Sequence, residues 1–198
     1  MELLERELPR YKDEIEFIHL CFTTDPFMLG HPEVGDLSLK VIKKINEYGI
    51  KCTTLTKGTY PDGIFETNKI NEYGISLISL DEEFRKEMEP FTAKYVERIE
   101  SLKRIHEAGY KTWVSMEPYP TPNIISQNID VILESVIFVD KIIFGKMNYN
   151  KNVSLYKENK KYYNESAKKV VEFCEKNKIV YYIKKGTVRE SVPNQETS

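Results

Sequence analysis

The chain has 198 residues, 40% hydrophobic and 30% charged, which is the ordinary composition of one medium-sized globular domain. Its formal net charge of −2 gives no electrostatic reason to expect nucleic-acid binding. No apolar run reaches the roughly 18 residues of a membrane span, and the charged N-terminus is unlike a signal peptide, so we expect a cytoplasmic protein.

Helical and strand patterns alternate along the chain. Apolar residues at helical spacing predict helices over residues 1–14, around Leu39–Ile45 with Asp36 or Ser38 as the N-cap, around Val96–Ile105 opening near Thr92, over Ile125–Ser135 and over Glu158–Lys176. Short runs rich in Ile, Val, Phe and Tyr predict buried parallel strands. These runs are Ile15–Phe22, Ile50–Leu55, Ile75–Leu80, Thr112–Met116, Lys141–Phe144 and Ile179–Ile183.

A recurring hexapeptide supports this alternation. Residues 45–50 read INEYGI, residues 70–75 repeat the same letters, and residues 105–110 read IHEAGY. We interpret Gly49, Gly74 and Gly109 as left-handed residues that end helices, with Asn177 in the same role later. Such junctions predict βα repeats with parallel strands and right-handed crossovers.

Six predicted strands are too few for a closed eight-stranded barrel. A partial (βα) TIM-type barrel or an open sheet remains, and we favour the partial barrel in an α/β fold. We expect one βα-repeat domain over residues 1–189 and a polar tail over residues 190–198.

The cysteines do not form a metal-binding motif. Cys21, Cys52 and Cys174 are far apart and no Cys-x-x-Cys pair exists. We therefore expect buried free thiols rather than a disulfide framework or a zinc site. His106, in a charged helix, is expected to be solvated.

Polar side chains follow the predicted strands, where ligands of βα proteins gather. Candidates are Asp25, Lys57, Ser76 and Glu117, and together they predict an anion-capable pocket. Each has a structural alternative: Asp25 before a proline often only shapes a turn, a loop lysine is often solvated, and a strand serine can face a packed neighbour. Glu117 lies between apolar residues, where an unpaired carboxylate is costly.

Taken in order, these loops resemble those of radical S-adenosylmethionine (SAM) enzymes, in particular the DNA-repair-photolyase-like group that includes spore photoproduct lyase. The resemblance covers roughly residues 15 to 150. Its motifs are Thr24-Asp25-Pro26, Thr56-Lys57-Gly58, Ile75-Ser76-Leu77, Leu80-Asp81-Glu82-Glu83, Glu89-Pro90, Glu97-Arg98-Ile99, Ala108-Gly109 and Pro118-Tyr119-Pro120.

The resemblance implies a (βα)6 partial barrel that binds SAM. Asp25, next to Thr24, would lie near the methionine end of SAM. Lys57 and Ser76 would hold its carboxylate or ribose, and Arg98 would support the same region. These residue types suit the carboxylate and hydroxyl groups of SAM. We include Thr24 and Glu117 in the predicted SAM site.

In this family a Cys-x3-Cys-x2-Cys loop binds a [4Fe–4S] cluster, on which SAM is cleaved to a 5′-deoxyadenosyl radical. The motif is absent from this sequence. We expect the chain to correspond to the later part of the core, without the first βα unit, and to be inactive in redox chemistry unless a cluster-bearing segment is supplied.

Three functions remain open. The chain is a radical SAM enzyme or a fragment of one, a non-catalytic small-molecule-binding protein that keeps the pocket, or an unrelated TIM-type enzyme with Glu117 and Lys57 as acid and base. Self-association is expected if an edge of the sheet is exposed, because unpaired backbone groups seek partners.

Overall fold

Strands and helices alternate along the chain in the computed structural model, which describes residues 1–21 and 23–188. The six strands form a sheet in the order β1-β2-β3-β4-β5-β6. They are β1 Phe17–Leu20, β2 Lys51–Thr56, β3 Glu72–Ser76, β4 Lys111–Tyr119, β5 Lys141–Lys146 and β6 Val180–Ile183. The α-helices are α1 Glu2–Tyr11, α2 Pro32–Asn46, α3 Glu82–Met88, α4 Tyr95–Glu107, α5 Ile129–Ser135, α6 Lys151–Leu155 and α7 Asn159–Asn177. The predicted α/β class is confirmed.

One compact unit contains residues Met1–Ile75 and Phe91–Thr112. Within it β1 pairs with β2 and β2 with β3, in parallel. Ile42 and Ile45 from α2 and Leu102 and Ile105 from α4 are almost fully buried. Burial of these apolar faces, at about 25 cal/mol per Å² of apolar surface, is the main stabilising term.

A chain of rings extends this core. Tyr60, Tyr73 and Tyr110 pack edge to face, with ring centroids 5.3 and 5.4 Å apart. Burial raises the pKa of the Tyr60 and Tyr73 hydroxyls. Both hydroxyls are hydrogen-bonded, Tyr60 to the Gly74 carbonyl at 2.6 Å and Tyr73 to Thr67 at 2.6 Å. The rings thus bury their polar ends without leaving them unsatisfied.

A pair of amides joins the end of α2 to the start of β3. Asn46 donates from Nδ2 to Asn71 Oδ1 at 2.9 Å, and Asn71 donates back to Asn46 Oδ1 at 2.8 Å. Asn71 Oδ1 also accepts the Cys52 amide of β2 at 2.8 Å. Asn71 is completely buried, so these bonds satisfy its side chain where water cannot.

The second compact unit contains Ser76–Pro90 and the described part of Trp113–Ser198. Its strands β4, β5 and β6 pair in parallel, with Trp113 opposite Lys141 and Phe144 opposite Ile183. Val114, Ile142 and Val170 are fully buried. Tyr163 of α7 donates to the Tyr119 carbonyl at 2.8 Å and accepts the Met147 amide at 3.2 Å, which ties the helix to the ends of β4 and β5.

The predicted strand Ile75–Leu80 is misplaced, because the observed strand is Glu72–Ser76. The second hexapeptide forms this strand and does not end a helix. The segment before it has only a 3-10 helix, Asp62–Glu66, so Gly74 has no α-helix to terminate. Instead Gly74 donates its amide to Tyr60 Oη at 2.9 Å inside β3.

Other predictions are wrong in detail. Helix α2 begins earlier than expected, with His31 as N-cap and Pro32 at the first position, where a missing amide costs nothing. Val96 is 54% exposed, and Tyr95 and Arg98 occupy the buried face of α4 instead. His106 is half-buried and hydrogen-bonded to Thr112 at 3.0 Å.

Two further predictions concern Cys21 and the C-terminal tail. Cys21 is exposed, because β1 ends at Leu20 and Cys21 adopts a left-handed φ of 64° outside the strand. The predicted polar tail 190–198 and Phe22 lie outside the described residues. Among the described helices, none is long and apolar enough to cross a bilayer.

Candidate functional site

Asp25 organises the loop that follows β1. Its Oδ1 accepts the Phe27 amide at 2.9 Å and the Thr56 hydroxyl at 2.6 Å, and its Oδ2 accepts the Lys57 amide at 2.7 Å. These bonds fasten the loop after β1 to the end of β2. Bonds to a carboxylate are stronger than neutral ones, so Asp25 holds the local backbone firmly. Thr24, beside it, is exposed.

The backbone of Lys57 is held on both sides. Its amide donates to Asp25, and its carbonyl accepts the Ala93 amide at 2.9 Å. Lys57 follows β2 directly and its side chain is half-exposed. The backbone position of Lys57 is therefore fixed, while its long side chain extends to the surface.

Gly58 allows two backbone segments to approach each other. A Cβ at this position would lie 1.9 Å from the Phe27 carbonyl oxygen and 3.2 Å from Thr56 Oγ1. The Gly58 amide donates to Thr56 Oγ1 at 2.8 Å. A glycine at a site of close backbone approach is typical of loops that bind ligands through tightly placed backbone groups.

Arg98 is completely buried in the same unit. Its Nε donates to the Ala93 carbonyl at 2.9 Å, a terminal nitrogen donates to Thr92 Oγ1 at 2.6 Å, and its guanidinium carbon lies 4.8 Å from the centre of the Tyr95 ring. Ala93 in turn holds the Lys57 carbonyl. Arg98 thus supports the Lys57 loop through the segment 92–93.

Ser76 and Glu117 belong to the second unit. Ser76 is the last residue of β3 and is 4% exposed. The next residue, Leu77, donates its amide to the Ser115 carbonyl of β4 at 2.9 Å. The serine hydroxyl is therefore placed at a strand end by backbone bonds on the adjoining residue.

Glu117 forms an ion pair with Lys184 across β5. Glu117 lies on β4, Lys184 follows β6, and β5 runs between these strands. Gly145 of β5 makes room for the pair, because a Cβ there would lie 2.8–2.9 Å from three atoms of the Glu117 side chain. The Lys184 amide donates to the Phe144 carbonyl at 2.9 Å, which fixes the lysine at this strand end.

The cysteines of this chain do not fit a [4Fe–4S] cluster. Burial raises the pKa of the Cys52 thiol to about 12, and burial with the nearby Glu175 charge raises that of Cys174 to about 12. Cluster iron requires thiolates, so these two thiols are poor ligands at neutral pH. Among the described residues no group of three or more His, Cys, Asp or Glu could hold a metal ion.

The sequence identified the types of residue at the strand ends but not which partner each of them contacts. Asp25, Lys57, Ser76 and Glu117 each stand in or after a different strand, at its carboxyl end or in the loop beyond. The pairing of Glu117 with Lys184 over Gly145 was not foreseen. An isolated glycine in the strand pattern KIIFGK was the available signal, because it marks a close approach.

Comparison with known proteins supplies the family. Residues 1–134 match the model of the radical SAM superfamily. The protein ORF301 of Acidianus two-tailed virus is 24% identical over 156 residues, covering 74% of this chain and 50% of ORF301.

Two kinds of solved structure share the fold. SuiB of Streptococcus suis, bound to S-adenosylmethionine, superposes with a TM-score of 0.60 at 17% identity, over 92% of this chain and 40% of SuiB. Spore photoproduct lyase complexed with dinucleoside spore photoproduct superposes with a TM-score of 0.65 at 16% identity, over 90% of this chain and 64% of the lyase. The chain thus spans about half the length of these relatives. Because the family model matches well over half of its residues, the chain belongs to the radical SAM superfamily.

Proposed function

We propose that this chain binds S-adenosylmethionine at the loop that carries Lys57 after β2. The observation that carries the proposal is the double anchoring of Lys57, whose amide and carbonyl are both held by other segments. In a chain of the radical SAM superfamily, a lysine with a fixed backbone is suited to bind the carboxylate of SAM. The SAM-bound structure of SuiB, which shares the fold, supports the same ligand.

The contacts divide the predicted residues into two groups. Lys57 offers an ammonium to the carboxylate of SAM. Asp25 and Arg98 are positioning residues, since Asp25 hydrogen-bonds to the Lys57 loop and Arg98 to segment 92–93. For Ser76, and for Glu117, which pairs with Lys184, a role in SAM binding stays a prediction.

The same proposal limits what the chain does alone. Its cysteines do not fit a cluster, so we assign no redox step to its residues. Formation of a 5′-deoxyadenosyl radical is proposed only where another segment supplies a [4Fe–4S] cluster. The second candidate, a non-catalytic SAM-binding or small-molecule-binding protein, is favoured by the unsuitable cysteines.

Lys57→Ala tests the proposal. A charge-assisted bond to a carboxylate contributes about 1.5–3 kcal/mol, so we expect SAM affinity to fall about ten- to a hundredfold. Lys40→Ala is the matched control, because Lys40 is an exposed lysine on α2 of the same unit. Isothermal titration calorimetry with SAM measures both variants, and thermal melting checks that both remain folded.

Equal SAM affinity of the two variants would remove Lys57 from the site. The titration is repeated with a Cys-x3-Cys-x2-Cys segment carrying its cluster, because cluster iron contributes to SAM binding in this family. A chain that binds no SAM in either setting contradicts the proposed function.

A further inference from the structure

A polar cavity of about 390 Å³ lies at the carboxyl ends of β5 and β6. Lys146 ends β5, and Gly186 and Thr187 follow β6, while the start of α7 contributes further lining residues. Carboxyl ends of parallel strands are the usual place for ligands in α/β proteins. The volume lies within the range of small-molecule sites.

The cavity has a one-sided charge. Lys146 and Lys160 line it, and no Asp or Glu is found among the described residues of its wall. Within the described part of the chain, neither ammonium forms an ion pair, whereas two other lysines of α7 do, Lys168 with Glu172 and Lys169 with Asp130. Two like charges in one concave site favour an anion.

Hydrogen bonds of two asparagines hold the uncharged part of the cavity wall in place. Asn150 accepts the amides of Asn152 and Val153 at 2.8 and 3.4 Å, and Asn159 donates to the carbonyls of Val153 and Tyr156 at 3.2 and 2.8 Å. These bonds fix the segment that carries α6. The cavity is therefore shaped before any ligand arrives, which lowers the ordering cost of binding.

Thr187 joins the two strand ends at the cavity. Its side chain is buried, and Oγ1 accepts the Lys146 amide at 3.3 Å. The Lys146 backbone and the Gly186-Thr187 turn are thereby held together at one side of the lining. Lys146 itself is half-buried.

The start of α7 borders the same cavity. This helix has 19 residues and begins at Asn159, with Glu158 as its N-cap and no acidic residue in its first turn. Asn159 and Lys160 of the first turn line the cavity, whereas Glu158 is not among the described lining residues.

The donors favour phosphate over carboxylate. Planar bidentate recognition of a carboxylate uses arginine, whereas lysine acts as a point charge that suits the several oxygens of a phosphate. No arginine is among the described lining residues. The volume exceeds what one phosphate ion needs, and polar Asn148 and Ser154 face the remaining space as part of the wall.

We propose that this cavity is a second binding site, which takes the phosphate of a small phosphomonoester on Lys146 and Lys160. The inference is independent of SAM binding, because neither Lys57 nor Glu117 is among the described residues of the cavity wall.

Ribose 5-phosphate, inorganic phosphate and ribose are the probes, titrated into the full chain at fixed ionic strength. Amide chemical shifts in heteronuclear NMR locate the site, and isothermal titration calorimetry gives affinities. We expect ribose 5-phosphate to shift Gly186 and Thr187 and to bind at least tenfold more tightly than ribose. Lys146→Gln and Lys160→Gln should each weaken it about tenfold, and Lys176→Gln, at the other end of α7, should leave it unchanged.

Circular dichroism of each variant confirms its folding, and inorganic phosphate tests whether the charge alone is recognised. Tighter binding of the ester than of inorganic phosphate supports a phosphomonoester site. Equal binding of ribose and ribose 5-phosphate, or loss of affinity in Lys176→Gln equal to that in Lys146→Gln, overturns it. Displacement of ribose 5-phosphate by SAM would assign the cavity to SAM and also overturns the separate site.

Discussion

Arg98 acts on the candidate site without lying at the surface. Its guanidinium is buried and bonded to Thr92 and to the Ala93 carbonyl, and the Ala93 amide holds Lys57. A lysine could not replace it, because one ammonium cannot span the two acceptors and stack on Tyr95 as a planar fork does. Arg98 thus helps to position the Lys57 loop through Ala93, which lies five residues before it in the chain.

Gly58→Ala tests how closely the loops after β1 and β2 must approach. The added Cβ would overlap the Phe27 carbonyl, so we expect a loss of about 1–3 kcal/mol in the free energy of unfolding, together with weaker SAM binding. Urea denaturation and SAM titration measure the two effects.

Gly35→Ala is the control for Gly58→Ala. Its Cβ would lie 3.6 Å from the Phe27 ring, an ordinary contact, and it lies within α2. Alanine should there stabilise by up to about 1 kcal/mol, as expected for a helix interior. Similar stability changes in both variants would show that the Gly58 approach is not needed.

The three thiols should differ in reactivity. Cys21 is exposed, whereas Cys52 and Cys174 are fully buried with pKa values raised to about 12. At pH 8 we expect a chromogenic disulfide reagent to modify one thiol quickly and the other two only after unfolding. Cys21→Ser should abolish the fast phase. A fast phase that persists in Cys21→Ser contradicts the buried placement of the other two.

At the scale of elements, the hexapeptide shows what local sequence can decide. Gly49 ends its segment with a φ of +73°, as a left-handed residue after α2 should, and Gly109 does the same with +84° after α4. Gly74 has the same neighbours in sequence but lies in β3. The difference comes from its hydrogen-bond partner Tyr60 and from pairing with β2, which no pattern of six residues contains.

The strands other than β3 and the longer helices were predictable, because apolar periodicity and flanking turns reflect burial directly, whereas the short helices α3 and α6 were not predicted. The site was predictable only as a set of residue types at strand ends. Which carboxylate shapes a loop and which faces a lysine depends on register: Asp25 meets Thr56 of β2, while Glu117 meets Lys184 over a glycine. Such contacts join residues from about 30 to 70 positions apart, beyond any local pattern.

Gly145→Ala tests the arrangement of β4, β5 and β6 around that ion pair. The methyl group would push against the Glu117 side chain, so we expect a loss of about 1–3 kcal/mol in the free energy of unfolding. Glu117→Ala removes the obstructing atoms. In the double variant most of the Gly145→Ala loss should therefore disappear, and denaturant unfolding of all four proteins measures the coupling. Strictly additive losses would mean that the two side chains do not share this space.

At the scale of the whole molecule, the fold is that of a radical SAM core, but the cluster ligands of the family are not in this sequence. Among the described strands β1 stands at one end of the strand order, and the backbone groups of an edge strand can pair with another chain. Self-association through that edge stays a prediction, which sedimentation of the purified chain tests.

Anaerobic reconstitution of the chain with iron and sulfide should give no stable [4Fe–4S] cluster and no cleavage of SAM. The physical reason is the burial of Cys52 and Cys174, whose thiols would have to leave β2 and α7 to reach a common cluster. Iron counting and electron paramagnetic resonance make the measurement, and chromatography detects 5′-deoxyadenosine. A near-stoichiometric cluster that cleaves SAM would prove the expectation wrong.

The amide pair of Asn46 and Asn71 has a consequence for how this sequence can change over generations. Each side chain supplies the other with a donor and an acceptor, and Asn71 also serves the Cys52 amide. A single substitution at either position would strand buried polar groups, at about 1–3 kcal/mol for each unsatisfied group. The asparagines of the two hexapeptides can therefore be inherited or replaced only together.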